Sequence, residues 1–227
     1  MVKPPPSTLH SKSRIFLVDD HPIVRQGLVQ LINEEPDLVV CGEASEASQA
    51  LEALPTLKPD LAVVDLSLAD TDGVSLIKNL RLQAHRTPIL VLSMHKESLY
   101  AERVLRAGGK GYLMKREPPE LVVVAIRKIL KGEIYLSEQM SSQLLEQFTD
   151  RPVRTAVSAM QSLSDRELAI FELIGSGHAT RQIADALHLS IKTIESYREH
   201  IKEKLSLQNA TELVQHAFEW VRSASEA

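Results

Sequence analysis

The sequence predicts an α/β fold, a doubly wound five-stranded parallel sheet, followed by a small all-α helix-turn-helix domain. Three observations carry this reading. Short apolar runs alternate with amphipathic stretches from Arg14 to about Lys131, and the pattern turns purely helical from Ser162. The length of 227 residues exceeds one typical domain and suffices for two compact cores.

The apolar runs are Ile15–Val18, Leu38–Cys41, Leu61–Val64, Ile89–Leu92 and Gly111–Met114. Runs without polar alternation suit strands covered on both faces. Between them, Val24/Leu28/Leu31, Ala47/Ala50/Leu51/Leu54, Val74/Ile77/Leu80, Leu99/Val104/Leu105 and Leu121/Val124/Ile126/Ile129 recur at helical spacing. Strand and helix alternate through five rounds, which requires right-handed crossovers and helices on both faces of a parallel sheet. Such a sheet carries its functional groups at the carboxyl ends of its strands.

Gly132 closes the last of these helices, and Glu133 to Gln161 is polar, with Asp150-Arg151-Pro152 its clearest break. The expected boundaries are a disordered tail over 1–13, the sheet domain over 14–132, a linker over 133–161 with or without a helix around Gln139 to Phe148, and the helical domain over 162–223. That last domain opens with Ser164-Asp165-Arg166-Glu167, a Ser-x-x-Glu capping box, and Gly175 and Gly177 end its first helix. A second helix is expected from about Thr180 to Leu187, a third from the N-cap Ser190 to about Leu205, and a fourth from Asn209 to about Arg222. The second and third, joined by His188-Leu189-Ser190, have helix-turn-helix proportions.

Composition fits an ordinary soluble globular protein, 44% hydrophobic and 25% charged. The start has Lys3 and a Pro4-Pro5-Pro6 run but no apolar core of a signal peptide, and no stretch approaches the ~20 apolar residues of a membrane span. A cytoplasmic location without a membrane partner is expected. Cys41, the single cysteine, excludes an internal disulfide and a cysteine metal site and is read as buried packing. The Asn209-Ala210-Thr211 glycosylation pattern has no compartment in which to act.

Asp19 and Asp20 follow the first strand and Asp65 the third, so all three project from one edge of the sheet. Packed carboxylates repel one another and have raised pKa values unless a cation neutralises them. Oxygen ligands of this kind suit Mg²⁺, which leaves room for a phosphate. Ser93 ends the fourth strand and Lys115 follows the fifth, adding a hydroxyl and an ammonium at the same edge. Together these groups describe a phosphoryl-transfer site with a carboxylate nucleophile, for which Asp65 is the best candidate. Asp70-Thr71-Asp72-Gly73 matches part of a calcium loop, but Leu68 and Asn79 occupy its first and last ligand positions, so a turn and helix start are expected instead.

Val18-Asp19-Asp20-His21-Pro22, Asp65 with Asp72-Gly73, Leu92-Ser93-Met94-His95 and Gly111-Tyr112-Leu113-Met114-Lys115 resemble the receiver domains of response regulators, specifically the NarL/FixJ group. The resemblance implies a flavodoxin-like receiver in which Asp65 accepts phosphate from a cognate sensor histidine kinase. It implies Asp20 as direct Mg²⁺ ligand, Asp19 as its support, and the Ser67 carbonyl as a third ligand beside Asp65. Ser93 and Lys115 would hold the phosphoryl oxygens, and Ser93 and Tyr112 would form the switch, although at a buried strand position Tyr112 equally suits plain packing. Two departures stand out. Leu68-Ala69 replaces the usual Met-Pro, implying a looser loop, and Met94 replaces a small residue, implying tighter donor access.

Leu163-Ser164-Asp165-Arg166-Glu167, Ile183-Ala184, Leu189-Ser190 and Thr193-Ile194 resemble the LuxR-type DNA-binding domain. On the third helix Ile191, Ile194, Tyr197, Ile201 and Leu205 share one face, with Lys192, Glu195, Ser196, Glu199 and Lys202 opposite. The resemblance places base contacts at Glu195, Ser196 and Glu199. From Ser162 onward seven Lys and Arg stand against ten Asp and Glu, a net charge of −3, so the usual basic footprint is missing. Phosphate contacts would rest on Arg181, Lys192, Arg198, Lys202 and Lys204, with Thr180 and helix N-termini as neutral donors. The expected partners are DNA, the kinase, RNA polymerase and, on phosphorylation, a second copy of the chain. The competing class is a protein-interaction module. An aspartyl phosphatase is disfavoured because Asp65-Leu66-Ser67 lacks that family's second Asp.

Overall fold

The computed structural model describes residues 12–68, 73–83, 86–149, 160, 162–187 and 189–226. The Asp70–Asp72 turn, the Asp150–Pro152 break, His188 and nearly all of the expected tail lie outside these residues. The chain divides into two compact units, Met1–Ser141 and Ser142–Ala227.

The first unit runs β1 (Ser13–Val18), α1 (Pro22–Asn33), β2 (Leu38–Ala44), α2 (Ala47–Leu57), β3 (Leu61–Val64), α3 (Gly73–Leu82), β4 (Ile89–Ser93), α4 (Glu97–Ala107), β5 (Gly111–Met114) and α5 (Glu120–Leu130). The sheet order is β2-β1-β3-β4-β5, every pair parallel. The chain leaves β1 toward β2 on one side and returns to β3 on the other, so the carboxyl ends of β1 and β3 flank the topological switch point. One core face packs Ile15, Leu17, Val63, Leu90 and Leu92 against Leu28 and Ile32 of α1 and Val122, Ile126 and Ile129 of α5. Alternation sends the equally buried Phe16, Ala62, Val64 and Val91 to the opposite face.

Local signals set the ends. Pro22 opens α1, where its missing N–H costs nothing. Gly108, at φ +104, closes α4 in the left-handed conformation. Cys41 departs from expectation, because the β1–β2 register shifts from Ile15↔Val40 to Phe16↔Gly42 and leaves Cys41 as the extra residue of a bulge. It is half-buried rather than in the core, and burial pushes its thiol pKa up.

The segment expected to begin the linker is instead part of the first unit through Ser141. Tyr135 forms a parallel bridge with Gly111 at the outer edge of β5, with Tyr112 N donating to Tyr135 O at 2.9 Å and Tyr135 N to Lys110 O at 3.0 Å. A one-residue bridge is made by backbone alone and leaves no alternating pattern to read. Helix α6 (Glu138–Thr149) falls where the optional helix was expected.

The second unit holds α7 (Asp165–Gly175), α8 (Thr180–Ala186), α9 (Ile191–Leu205) and α10 (Ala210–Glu226). The capping box forms, with Glu167 N donating to Ser164 Oγ and Ser164 N to Glu167 Oε2, and Ser190 caps α9 through Thr193 N. Leu168, Phe171, Ile174, Ile183, Ile194, Ile201, Leu213 and Ala217 make the core. Gly175 lets α7 and α10 touch, since a Cβ there would lie 2.3 Å from Ala217 O. Ile191, expected on the packing face of α9, is 47% exposed, because the first turn of a helix has one neighbour fewer along its axis.

Candidate functional site

Four strands deliver the expected groups to one edge of the sheet. Asp19 and Asp65, each 2% exposed, stand at the ends of β1 and β3, and Lys115 follows β5, its N–H on Ser93 O at 2.8 Å. Lys115 Nζ lies 2.7 Å from both Asp19 Oδ2 and Asp65 Oδ2. Burial pushes the Asp65 carboxyl up, and the Asp19 charge adds to that against the pull of Lys115 and the Ser67 amide. Burial alone would lower the Lys115 ammonium, but the two carboxylates outweigh it and hold its pKa above the ordinary lysine value. One ammonium therefore screens two buried carboxylates, and a site of this charge has room for a further cation.

The remaining groups close around this pair. Asp19 Oδ1 accepts the His21 N–H at 2.8 Å, and Arg25 Nη1 donates to Asp19 O at 2.6 Å. Asp20 Oδ1 is buried and accepts no hydrogen bond, although His21 Nδ1 stands 2.6 Å away at ion-pair distance. Asp19, Asp20, His21 and Asp65 each bring one ligand atom within 4.8 Å of the others. Three converging carboxylates, one with a buried oxygen that faces the His21 ring, fit a hard divalent cation. Ser67 donates its N–H to Asp65 Oδ1 at 3.1 Å.

Ser93 is fully buried, and its Oγ accepts the His95 N–H at 3.1 Å. Tyr112 is fully buried too, and its hydroxyl donates to His95 O at 2.8 Å. His95 Nε2 lies 3.1 Å from Ser67 Oγ, and its ring lies over Tyr100, centroids 4.8 Å apart. The sequence placed Ser93, Tyr112 and Ser67 at the site but missed the residue that joins them. His95 stood in the Leu92-Ser93-Met94-His95 motif, two residues beyond the buried hydroxyl, but was given no role of its own. Met94 is 69% exposed and lies on the surface beside the site, while Leu68 is buried and Ala69 lies outside the described residues.

In the second unit, α9 presents Lys192, Glu195, Ser196 and Glu199 to solvent, with Arg181 exposed on α8 and Thr180 half-buried at its start. Lys202 Nζ pairs with Glu199 at 2.8 Å, and Lys204 Nζ with the buried Glu167 at 2.6 Å. Arg198 is half-buried and lines a groove with Gly175, Val214 and Phe218, which turns it away from the exposed row. Two of the five expected cations are therefore committed to carboxylates, and one faces a neighbouring helix.

Comparison with known proteins agrees with both halves of this description. The response regulator receiver domain family matches residues 15–127, and the luxR family of bacterial regulatory proteins matches residues 161–217. The chain belongs to the response regulators of NarL/FixJ type, DNA-binding transcription regulators that join a receiver domain to a LuxR-type helix-turn-helix domain. It is 34% identical to the oxygen regulatory protein NreC of Staphylococcus haemolyticus, over 90% of this chain and 96% of that one. A LuxR-family two-component response regulator from an Aurantimonas species is 35% identical, covering 62% of this chain and all of its own, with a TM-score of 0.57. RcsB from Salmonella enterica serovar Typhimurium, solved bound to a promoter in the presence of the phosphomimetic BeF3-, is 27% identical over 90% of this chain and 97% of its own, with a TM-score of 0.57. No helix among the described residues is long and apolar enough to cross a membrane.

Proposed function

We propose that this chain is a cytoplasmic, phosphorylation-gated regulator in which Asp65 accepts a phosphoryl group from a sensor histidine kinase. The observation that carries this is the Lys115 ammonium set 2.7 Å from both Asp65 and Asp19, with the Asp20 carboxylate in the same cluster. An Asp65 oxygen attacks phosphorus as the bond to the donor breaks, giving an acyl phosphate that water later hydrolyses, so the receiver catalyses its own phosphorylation and dephosphorylation. Lys115 follows the charge from carboxylate to phosphoryl oxygen, and Ser93 Oγ turns from the His95 N–H to a second phosphoryl oxygen. Asp20, supported by Asp19, with Asp65 and the Ser67 carbonyl, would hold Mg²⁺, which when bound neutralises the transferring phosphoryl group. An apolar groove of about 500 Å³ opens next to Lys115, lined by Val24, Leu28, Leu31, Met94 and Met114, and Ile23 beside it is 86% exposed. This surface suits a protein donor.

Phosphorylation favours a dimer, DNA binding and contact with RNA polymerase. On α9, Glu195, Ser196 and Glu199 read bases, and Lys192, with Arg181 and Thr180 of α8 and Lys202 once it leaves Glu199, meets phosphates, while Arg198, expected among them, lines the groove beside Val214 and Phe218 instead. The test is labelling by a small acyl phosphate with Mg²⁺. Wild type takes up one phosphoryl group, and a folded Asp65→Asn protein takes up none. Undiminished labelling of that variant refutes the assignment. The net acidity of the helical unit favours a second reading, a protein-binding module, which a defined footprint on DNA would exclude.

A further inference from the structure

The segment leaving α5 is fastened at Tyr112, one end of the hydrogen-bond chain that runs through Ser93, His95 and Tyr112, and at Glu97, two residues beyond His95. Its first anchor is on β5, where Tyr112 and Lys110 bond the Tyr135 backbone on either side of Gly111. Position 111 has no room for a side chain, because a Cβ there would lie 2.8 Å from Ile129 and 3.0 Å from Tyr135. Its second anchor is at the first residue of α4, where the Ser137 N–H donates to Glu97 Oε1 at 2.9 Å. Glu97 is only 8% exposed, unusual for a carboxylate. Tyr135 adds a ring under Lys128 Nζ, 5.6 Å from its centroid, and Met140, 4% exposed, ends the docked stretch.

We propose that residues 132–140 form an output strap, docked on β5 and α4 while Asp65 is unmodified and released when it is phosphorylated. The proposal rests on the phosphoacceptor reading above. When Ser93 Oγ turns to a phosphoryl oxygen, the His95 N–H loses its acceptor and the 95–97 backbone relaxes. That backbone carries the His95 carbonyl that holds Tyr112 and the Glu97 carboxylate that holds Ser137. The two anchors are therefore loosened by one event. Release of residues 132–137 adds up to roughly 20 Å of reach to the chain leading to the helical unit, at about 3.3 Å per extended residue. Phosphorylation thus changes the tether as well as the receiver surface.

Hydrogen exchange read by mass spectrometry on the full chain tests this, with and without acetyl phosphate and Mg²⁺. Intact mass reports phosphorylation separately. The expected result is several-fold faster exchange in peptides covering 133–140 on phosphorylation, with β1 and β3 unchanged, and no change in Asp65→Asn. Glu97→Ala should exchange fast in the strap without any phosphoryl donor, and Glu97→Gln, which keeps an acceptor oxygen, should restore protection. If wild type gains the phosphoryl mass and the strap exchanges as before, the strap proposal falls and the acceptor reading stands. If no mass is gained, the acceptor reading falls and takes the strap proposal with it.

Discussion

At the residue scale, the exposed row of α9 is set by charge rather than by reach. In the base-reading role proposed for them, Glu195 and Glu199 would repel every phosphate while being able to accept from cytosine N4, contributing selectivity and reducing general affinity. The structure separates the two. Glu199 also occupies Lys202, 2.8 Å away, whereas Glu195 is an exposed carboxylate earlier on the same row. Glu199→Gln should therefore raise affinity for random duplex more than Glu195→Gln does, because it removes one repelling charge and releases a cation. Lys192→Ala should weaken all sequences alike and reduce the slope of log affinity on log salt by about one unit. Salt titrations on specific and random duplexes measure both, and equal slopes for wild type and Lys192→Ala would remove Lys192 from the phosphate contacts. These roles were legible in sequence only as a face. Which cations were already engaged was not, because Lys204 meets Glu167 from 37 residues away, and pairing across helices leaves no local pattern.

Elements are held by a few contacts whose loss has a definite sign. Burial pushes the Glu167 carboxyl up, but hydrogen bonds from Lys204 and Ser164 outweigh it and hold the pKa below the ordinary glutamate value. A folded pKa below the unfolded one adds stability above the unfolded pKa of about 4.3 that is lost as pH falls through the folded value. Glu167→Gln should cost about 1 kcal/mol at pH 7, a modest figure because Lys204 is 40% exposed and screened. Denaturant melts of wild type and variant should converge only once pH falls below the lowered Glu167 pKa, and a difference that persists in stronger acid would assign the effect to packing. Gly175→Ala should cost about 1–3 kcal/mol at any pH, because its Cβ would press on the Ala217 backbone. The capping box at Ser164 and Glu167 was readable from four residues, since its partners are local. Gly175 was readable only as a helix end, since its close approach to α10 depends on a residue 42 positions on.

Over the whole molecule, the five parallel strands and the edge that gathers Asp19, Asp20, Asp65, Ser93 and Lys115 followed from apolar runs and the residues just after them. Alternation through five rounds leaves little topological freedom. The hub at His95 and the docking of Tyr135 did not follow, because His95 joins Ser67 and Tyr112 from 28 and 17 residues away and Tyr135 meets β5 through backbone alone. Phosphorylation adds about −1.5 to −2 charges at this edge, and a switch from nearly off to nearly on needs about 5.5 kcal/mol between states. In the proposed acyl phosphate, charge-assisted contacts from Ser93 and Lys115 would contribute toward that difference. Sedimentation should accordingly show a mass increase toward a dimer after full phosphorylation of wild type and none with Asp65→Asn. An unchanged mass in the phosphorylated protein would separate acceptor chemistry from self-association.

The bridge between Tyr135 and Gly111 also bears on where the chain can be cut. An uncovered edge strand offers unpaired N–H and C=O groups as a template for foreign strands, and Tyr135 occupies those of Lys110 and Tyr112 on β5. A receiver fragment ending at Lys131 should therefore associate edge to edge and scatter light at concentrations where one ending at Ser141 remains dispersed. The ten residues between those ends, Gly132 to Ser141, look like tether in the sequence and cover this edge of the sheet through Tyr135.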